Sequence, residues 1–83
     1  MQDRLTILGG SSPFTAGLID ALLYRVEELR PCYLVLHGRN RELLNLVCRY
    51  ARLRLAPYGW RIDSSTEMQE ALAGASIVVH QIR

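Results

Sequence analysis

The stretch Leu5-Thr-Ile-Leu-Gly9-Gly10-Ser11-Ser12 constrains this chain more than any other. An apolar run meets a glycine pair and a hydroxyl-rich turn just ahead of an amphipathic segment. This is the layout of a strand, a tight turn and a helix N-terminus, where unpaired backbone N–H groups and the positive end of the helix dipole hold a pyrophosphate. A Gly-Gly turn that merely joins a strand to a helix is the competing reading, and the order of the elements that follow argues against it.

Residues 5–9 form a short, almost wholly apolar run, as a parallel strand covered on both faces requires. Over residues 14–29, Phe14, Leu18, Leu22, Val26 and Leu29 recur at helical spacing, joined by Ile19 and Leu23, with Asp20, Arg25, Glu27 and Glu28 on the other face. Pro31 ends this helix. A second buried strand is predicted over 33–36. His37-Gly38-Arg39-Asn40 then turns the chain into a helix over 41–55, with Leu43, Val47, Tyr50 and Ala51 on one face and Pro57-Tyr58-Gly59 as its stop. A third strand is expected over 60–64. Ser65-Thr66-Glu67 supplies a cap and an acidic first turn for a helix reaching Ala73, which Gly74 closes. Ser76 to His80 makes a fourth strand around β-branched Ile77-Val78-Val79.

The order βαβαβαβ predicts an α/β fold, a Rossmann-like, three-layer half domain with a parallel four-stranded sheet in the order 3-2-1-4 and right-handed crossovers. The turn after the first strand then sits at the switch point, where ligands of doubly wound sheets bind. With 83 residues there is room for a single domain spanning 1–83. The chain stops directly after an apolar strand, so the expectation is a dinucleotide-binding half whose catalytic part lies beyond it. The open edge offered by Ile77, Val78 and Val79 predicts self-association into a homo-oligomer.

A net charge of +2, with ten arginines spread along the chain and no lysine, gives no basic patch for nucleic acid or an acidic membrane. No apolar run approaches the roughly 20 residues of a membrane span, and no signal-peptide core precedes the first strand. Cys32 and Cys48 lack CxxC spacing and read as two buried, reduced thiols in a cytoplasmic protein, ahead of a disulfide or a metal site.

Aligned with the dinucleotide fingerprint G-x-G-x-x-G, the key positions here are Gly9, Ser11 and Phe14, so only the first glycine is present. Gly10, Ser11 and Ser12 still leave little side chain between backbone and diphosphate. Phe14 stands where a glycine brings helix and sheet close, which predicts a first helix set slightly farther out. At the end of the second strand, where NAD enzymes place an acid for the ribose 2′-hydroxyl, stands His37. His37-Gly38-Arg39-Asn40 offers a guanidinium suited to a 2′-phosphate and no acid to repel one, so NADP is expected to be tolerated beside NAD. A solvated Arg39 in a helix-capping turn is the alternative.

Two motifs carry a family resemblance. Leu8-Gly9-Gly10-Ser11-Ser12-Pro13-Phe14-Thr15 resembles the GGGS-x-[YF]-T-P turn of the NAD-dependent family-four glycoside hydrolases, the 6-phospho-glycosidases and α-galacturonidase-like enzymes. Glu70-Ala-Leu-Ala-Gly-Ala-Ser-Ile-Val-Val-His-Gln-Ile-Arg83 resembles that family's EAL-x-GADFV-x-x-QIR segment at a matching separation. Ser11 departs from the third glycine of the family's run and Ala16 from its proline. The resemblance implies a parent enzyme that uses NAD to oxidise the sugar C3 hydroxyl transiently. A tyrosine base and manganese then assist elimination of the aglycone, water adds, and the ketone is reduced; NAD-dependent members stand outside the two-carboxylate scheme.

The family's metal ligands and its tyrosine base lie beyond the QIR segment, so Cys32, Cys48, His37 and His80 are not borrowed as ligands. This stretch by itself is expected to be inactive. The resemblance also brings Arg83 near the substrate cleft, against the reading of a frayed terminal residue. Two other functions share the phosphate turn: a non-catalytic dinucleotide-binding or interaction module, and part of an NADP-dependent dehydrogenase, which leaves the QIR ending unexplained.

Overall fold

The computed structural model describes residues 3–9, 14–26, 28 and 30–80, and of Phe14 and His80 the backbone alone. In chain order the elements are β1 (Arg4–Leu8), α1 (Phe14–Tyr24), β2 (Tyr33–His37), α2 (Arg41–Leu55), a 3-10 turn (Ala56–Tyr58), β3 (Arg61–Ser65), α3 (Met68–Leu72) and β4 (Ile77–His80). The sheet is parallel throughout, in the order β3-β2-β1-β4, as the alternation of short strands and helices predicts. Right-handed crossovers carry β1 to β2 and β2 to β3 in one direction, so α1 and α2 share a face and pack on each other. The return from β3 to β4 puts α3 on the opposite face.

Strand alternation sorts the residues between these layers. Leu5 and Ile7 of β1, Leu34 and Leu36 of β2, and Ile62 of β3 meet Ile19 of α1 and Leu44, Cys48, Ala51 and Leu55 of α2 in one buried core. On the α3 side the sheet is more polar. The buried Thr6 hydroxyl donates to the Ala71 carbonyl at 2.7 Å, and the Arg4 guanidinium donates to the carbonyls of Glu70 (2.8 Å) and Ala71 (3.2 Å). These bonds take up carbonyls that the five-residue α3 leaves open at its C-terminal end. Beside them the Tyr33 ring lies between the guanidinium groups of Arg4 and Arg61, 5.2 and 4.5 Å from its centroid. The Tyr33 hydroxyl donates to Asp63 at 2.6 Å; that bond, with burial, pushes its pKa up.

Several element boundaries, among them the end of the second strand at His37 rather than Leu36, and two burial patterns differ from the sequence expectation. The first helix ends at Tyr24 rather than Leu29: the amides of Arg25 and Val26 bond the carbonyls of Leu22 and Leu23, three residues back, which tightens the chain into turns. Apolar spacing up to Val26 reports which side meets the core, and a turn satisfies that as well as a helix does. The first strand starts at Arg4 and leaves Gly9 in the turn, the third runs Arg61–Ser65, and the last begins at Ile77. The third helix is shorter than expected. Its N-cap is Glu67, without a side-chain bond, because Ser65 closes on itself: its hydroxyl accepts from the Glu67 amide at 3.0 Å.

In α2 the bounds agree, but the buried stripe is Leu44, Cys48, Ala51 and Leu55, while Leu43 is exposed and Val47 and Tyr50 are half-buried. Cys32 is half-buried rather than buried, and Cys48 is buried. Both cysteines are free thiols, and desolvation pushes both pKa values up, so neither is an activated thiolate at neutral pH.

Candidate functional site

The last residues of the four strands form one row at the carboxyl edge of the sheet, in the register His80, Leu8, His37, Ser65. β1 sits between β2, reached through α1 on one face, and β4, reached through α3 on the other. The crevice above β1 is therefore the switch point of the sheet. Gly9 leaves β1 there with φ +81°, a left-handed conformation that a side chain with a Cβ adopts only under strain. α1 begins at Phe14, and no acid occupies its first turn, so nothing there offsets the positive end of its dipole.

Thr15, one residue into α1, is fully buried, and its hydroxyl donates back to the Gly9 carbonyl at 3.4 Å. That bond ties the helix start to the strand exit. Thr15 stands in the quoted motif but was not among the expected site residues; its place directly after the aromatic residue of the turn is the signal that marks it.

Of the expected cofactor residues, Gly9, the Phe14 backbone, His37, Arg39 and Asn40 lie at this edge. Gly10, Ser11 and Ser12 fall outside the described residues, as does Arg83, the expected substrate residue; the Phe14 side chain, on which the wider helix-to-sheet spacing depended, does too. His37 closes β2 and is buried, 7% exposed. Arg39 and Asn40 are exposed. Asn40 is the N-cap of α2, its side-chain oxygen accepting from the Leu43 amide at 3.1 Å.

The neighbouring Arg41 donates to the Thr66 hydroxyl at 3.4 Å beside a cavity of about 290 Å³ that Glu67 and Glu70 also line. Those carboxylates oppose a phosphate there. No acid stands in the His37-Gly38-Arg39-Asn40 turn; the first acid after it is Glu42, in the first turn of α2.

A dinucleotide fits these features: a glycine-shaped strand exit, a helix start free of acids, and a second-strand end without a carboxylate. Among the described residues no three His, Cys, Asp or Glu side chains gather as a metal site would require, and no helix is long and apolar enough to cross a membrane.

No protein-family model matches the chain, and no curated protein matches it. Solved structures do. All of this chain aligns with 19% of a 6-phospho-α-glucosidase from gut microorganisms in complex with NAD and Mn²⁺, at 20% identity and a TM-score of 0.84. It aligns as completely with 20% of the 6-phospho-β-glucosidase from Thermotoga maritima with NAD and glucose-6-phosphate, at 22% identity and a TM-score of 0.86. A monoclinic form of the Thermotoga maritima enzyme aligns over 96% of this chain and 20% of its own, at 25% identity and a TM-score of 0.81. The chain thus spans about a fifth of the length of the solved structures it matches. What they share with it is the Rossmann-like fold, met in 6-phospho-glucosidases with NAD bound.

Proposed function

We propose that this chain is the amino-terminal, dinucleotide-binding part of a longer 6-phospho-glycosidase of the family-four type, an NAD- and metal-dependent enzyme that works by transient oxidation, elimination and water addition. One observation carries the reading. The whole chain aligns with NAD-bound 6-phospho-glucosidases, and its glycine-shaped strand exit lies at the switch point of the shared sheet.

When bound, the nicotinamide supplies the hydride acceptor and donor of the reaction. This chain's own residues hold and orient it. Gly9 lets the backbone turn under the pyrophosphate, the amides opening α1 face its charge, and Thr15 fixes the spacing between the two. Gly10, Ser11, Ser12 and the Phe14 backbone are further contacts to the pyrophosphate in this reading, and His37, Arg39 and Asn40 are those to the adenosine ribose.

Manganese, the base and most contacts to the phosphorylated sugar belong to residues outside this stretch, with Arg83 as its one contribution to substrate. Residues 1–83 act as one unit. The exposed edge at Ile77 and Val78 receives the next strand of the longer chain, and the two free thiols fit a cytoplasmic setting.

Titration calorimetry is the first test. The chain is expected to bind NAD or NADP with measurable heat and to leave a nitrophenyl 6-phospho-glycoside uncleaved when cofactor and manganese are added. Absence of binding to either dinucleotide overturns the assignment, and cofactor-dependent cleavage overturns the division of labour.

The end of β2 sharpens the cofactor preference. With no carboxylate at His37 to repel a 2′-phosphate and Arg39 exposed nearby, NADP is expected to bind at least as tightly as NAD. Arg39→Ala should then weaken NADP several-fold and NAD little, because a guanidinium grips the phosphate that only NADP carries. Equal losses would make Arg39 a general electrostatic residue.

A further inference from the structure

We propose that Glu67 and Glu70 set the balance between NAD and NADP by holding a 2′-phosphate off the neighbouring Arg41. The inference rests on the dinucleotide reading and adds to it a pair of acids that acts on one cofactor alone. Their place follows from the register of the sheet. His37, at the end of β2 where that reading puts the adenosine ribose, pairs with Ser65 at the end of β3, one strand spacing of about 4.8 Å away. Ser65 in turn lines the cavity of about 290 Å³ that it shares with Arg41, Thr66, Glu67 and Glu70. A 2′-phosphate at this edge therefore has two arginines to choose from, Arg39 in the turn and Arg41 at the start of α2.

Arg41 is exposed and donates to the Thr66 hydroxyl at 3.4 Å. Among the described residues the ion pairs are those of Asp63 with Arg52 and Arg61, so no carboxylate is paired with Arg41. Its guanidinium keeps a fork of donors suited to phosphate. Glu67 and Glu70 line the same space without pairing with that fork, and their charges repel a phosphate dianion drawn towards it. NAD presents only a neutral hydroxyl at this position. The penalty falls on NADP.

The short α3 keeps both acids in place through bonds that their carboxylates do not make. At its start the Ser65 hydroxyl accepts from the Glu67 amide at 3.0 Å and donates to the Glu67 carbonyl at 3.2 Å, and the Glu67 side chain makes no cap bond. At its end Thr6 and Arg4 hold the carbonyls of Ala71 and Glu70. Both glutamates are exposed, so an amide in place of either carboxylate removes the charge and leaves the helix where it is.

Titration calorimetry with NAD and with NADP, on Glu67→Gln, Glu70→Gln and the double variant, tests it. The double variant is expected to bind NADP about tenfold more tightly than the parent, and each single variant at least about twofold, with NAD changed by less than about twofold. Adding Arg41→Ala to the double variant should remove most of the gain, which a general rise in net charge would not do. The gain should also shrink at about 0.5 M salt. Glu28→Gln removes an exposed acid that lies beside Asp3 at the amino edge of the sheet, and serves as the control that leaves the ratio of affinities unchanged. Circular dichroism checks that each variant is folded; should one single variant fail, the other gives the same comparison. A ratio of NADP to NAD affinity that the acid substitutions do not move, or a gain that survives Arg41→Ala, overturns the proposal and leaves the dinucleotide reading standing. Binding to neither dinucleotide overturns both.

Discussion

Gly9→Val is expected to abolish dinucleotide binding, with a loss of more than about a hundredfold in affinity, or roughly 2.7 kcal/mol. Two effects act together. Gly9 sits at φ +81°, and a β-branched side chain in that region carries about 1–3 kcal/mol of backbone strain. The chain relieves the strain by moving the turn, which shifts the start of α1 and breaks the bond from Thr15 to the Gly9 carbonyl. A bulky side chain also stands where the backbone must approach a pyrophosphate.

Because part of that loss is conformational, Ser11→Asp provides the complementary measurement. It leaves the glycine in place and adds a carboxylate to the same turn, with an expected weakening of about tenfold, or roughly 1.4 kcal/mol. Calorimetry on both variants, with circular dichroism to confirm that they remain folded, checks the pair. Affinity unchanged by either substitution removes the turn from the site.

Leu36→Ala is expected to lower stability by about 3 kcal/mol. Leu36 lies on β2, a strand paired on both sides, and is fully buried against the α1 and α2 layer. Truncation there leaves a hole that flanking strands cannot close without breaking their ladders. A domain of this length has a total stability of roughly 4–12 kcal/mol, so the change takes a large share of it and lowers the midpoint of thermal unfolding by more than about 10 °C. Urea denaturation should show a lower midpoint with an unchanged slope. Tyr24→Ala, at a side chain 90% exposed, is the control and should stay within about 0.5 kcal/mol of the parent. A small effect at Leu36 would mean that the core repacks freely around β2.

Most of the architecture was legible in local pattern. Short β-branched or leucine-rich runs separated by amphipathic segments and punctuated by glycine and proline dictate βαβαβαβ, and the handedness of crossovers then leaves few arrangements besides 3-2-1-4. The phosphate turn was legible for the same reason: a glycine pair between an apolar run and a helical repeat is a local signal, and Gly9 has the positive φ that its position in the motif requires. α2 kept its expected bounds because Asn40 caps one end and Pro57 and Gly59 stop the other, all within the helix's own neighbourhood.

Which face of α2 is inside was decided only by tertiary structure. Nine of its fifteen residues are apolar, enough for two stripes, and periodicity favours Leu43, Val47 and Tyr50 as readily as Leu44, Cys48 and Ala51. The position of α1, which holds Tyr50 through Asp20, and of β3 beneath, turns the second set inward. The end of the first helix was illegible in the same way, since a turn and a helix place Val26 on the same side.

Arg4 shows the limit most plainly. From sequence it is a charged residue ahead of a strand. In the fold it lies beside Tyr33 and bonds the carbonyls that end α3, some sixty-six and sixty-seven residues away. Local signals set backbone conformation because they act between neighbours in the chain. Burial and long-range hydrogen bonds depend on which surfaces the folded sheet brings together, and these are settled only when all four strands are in place.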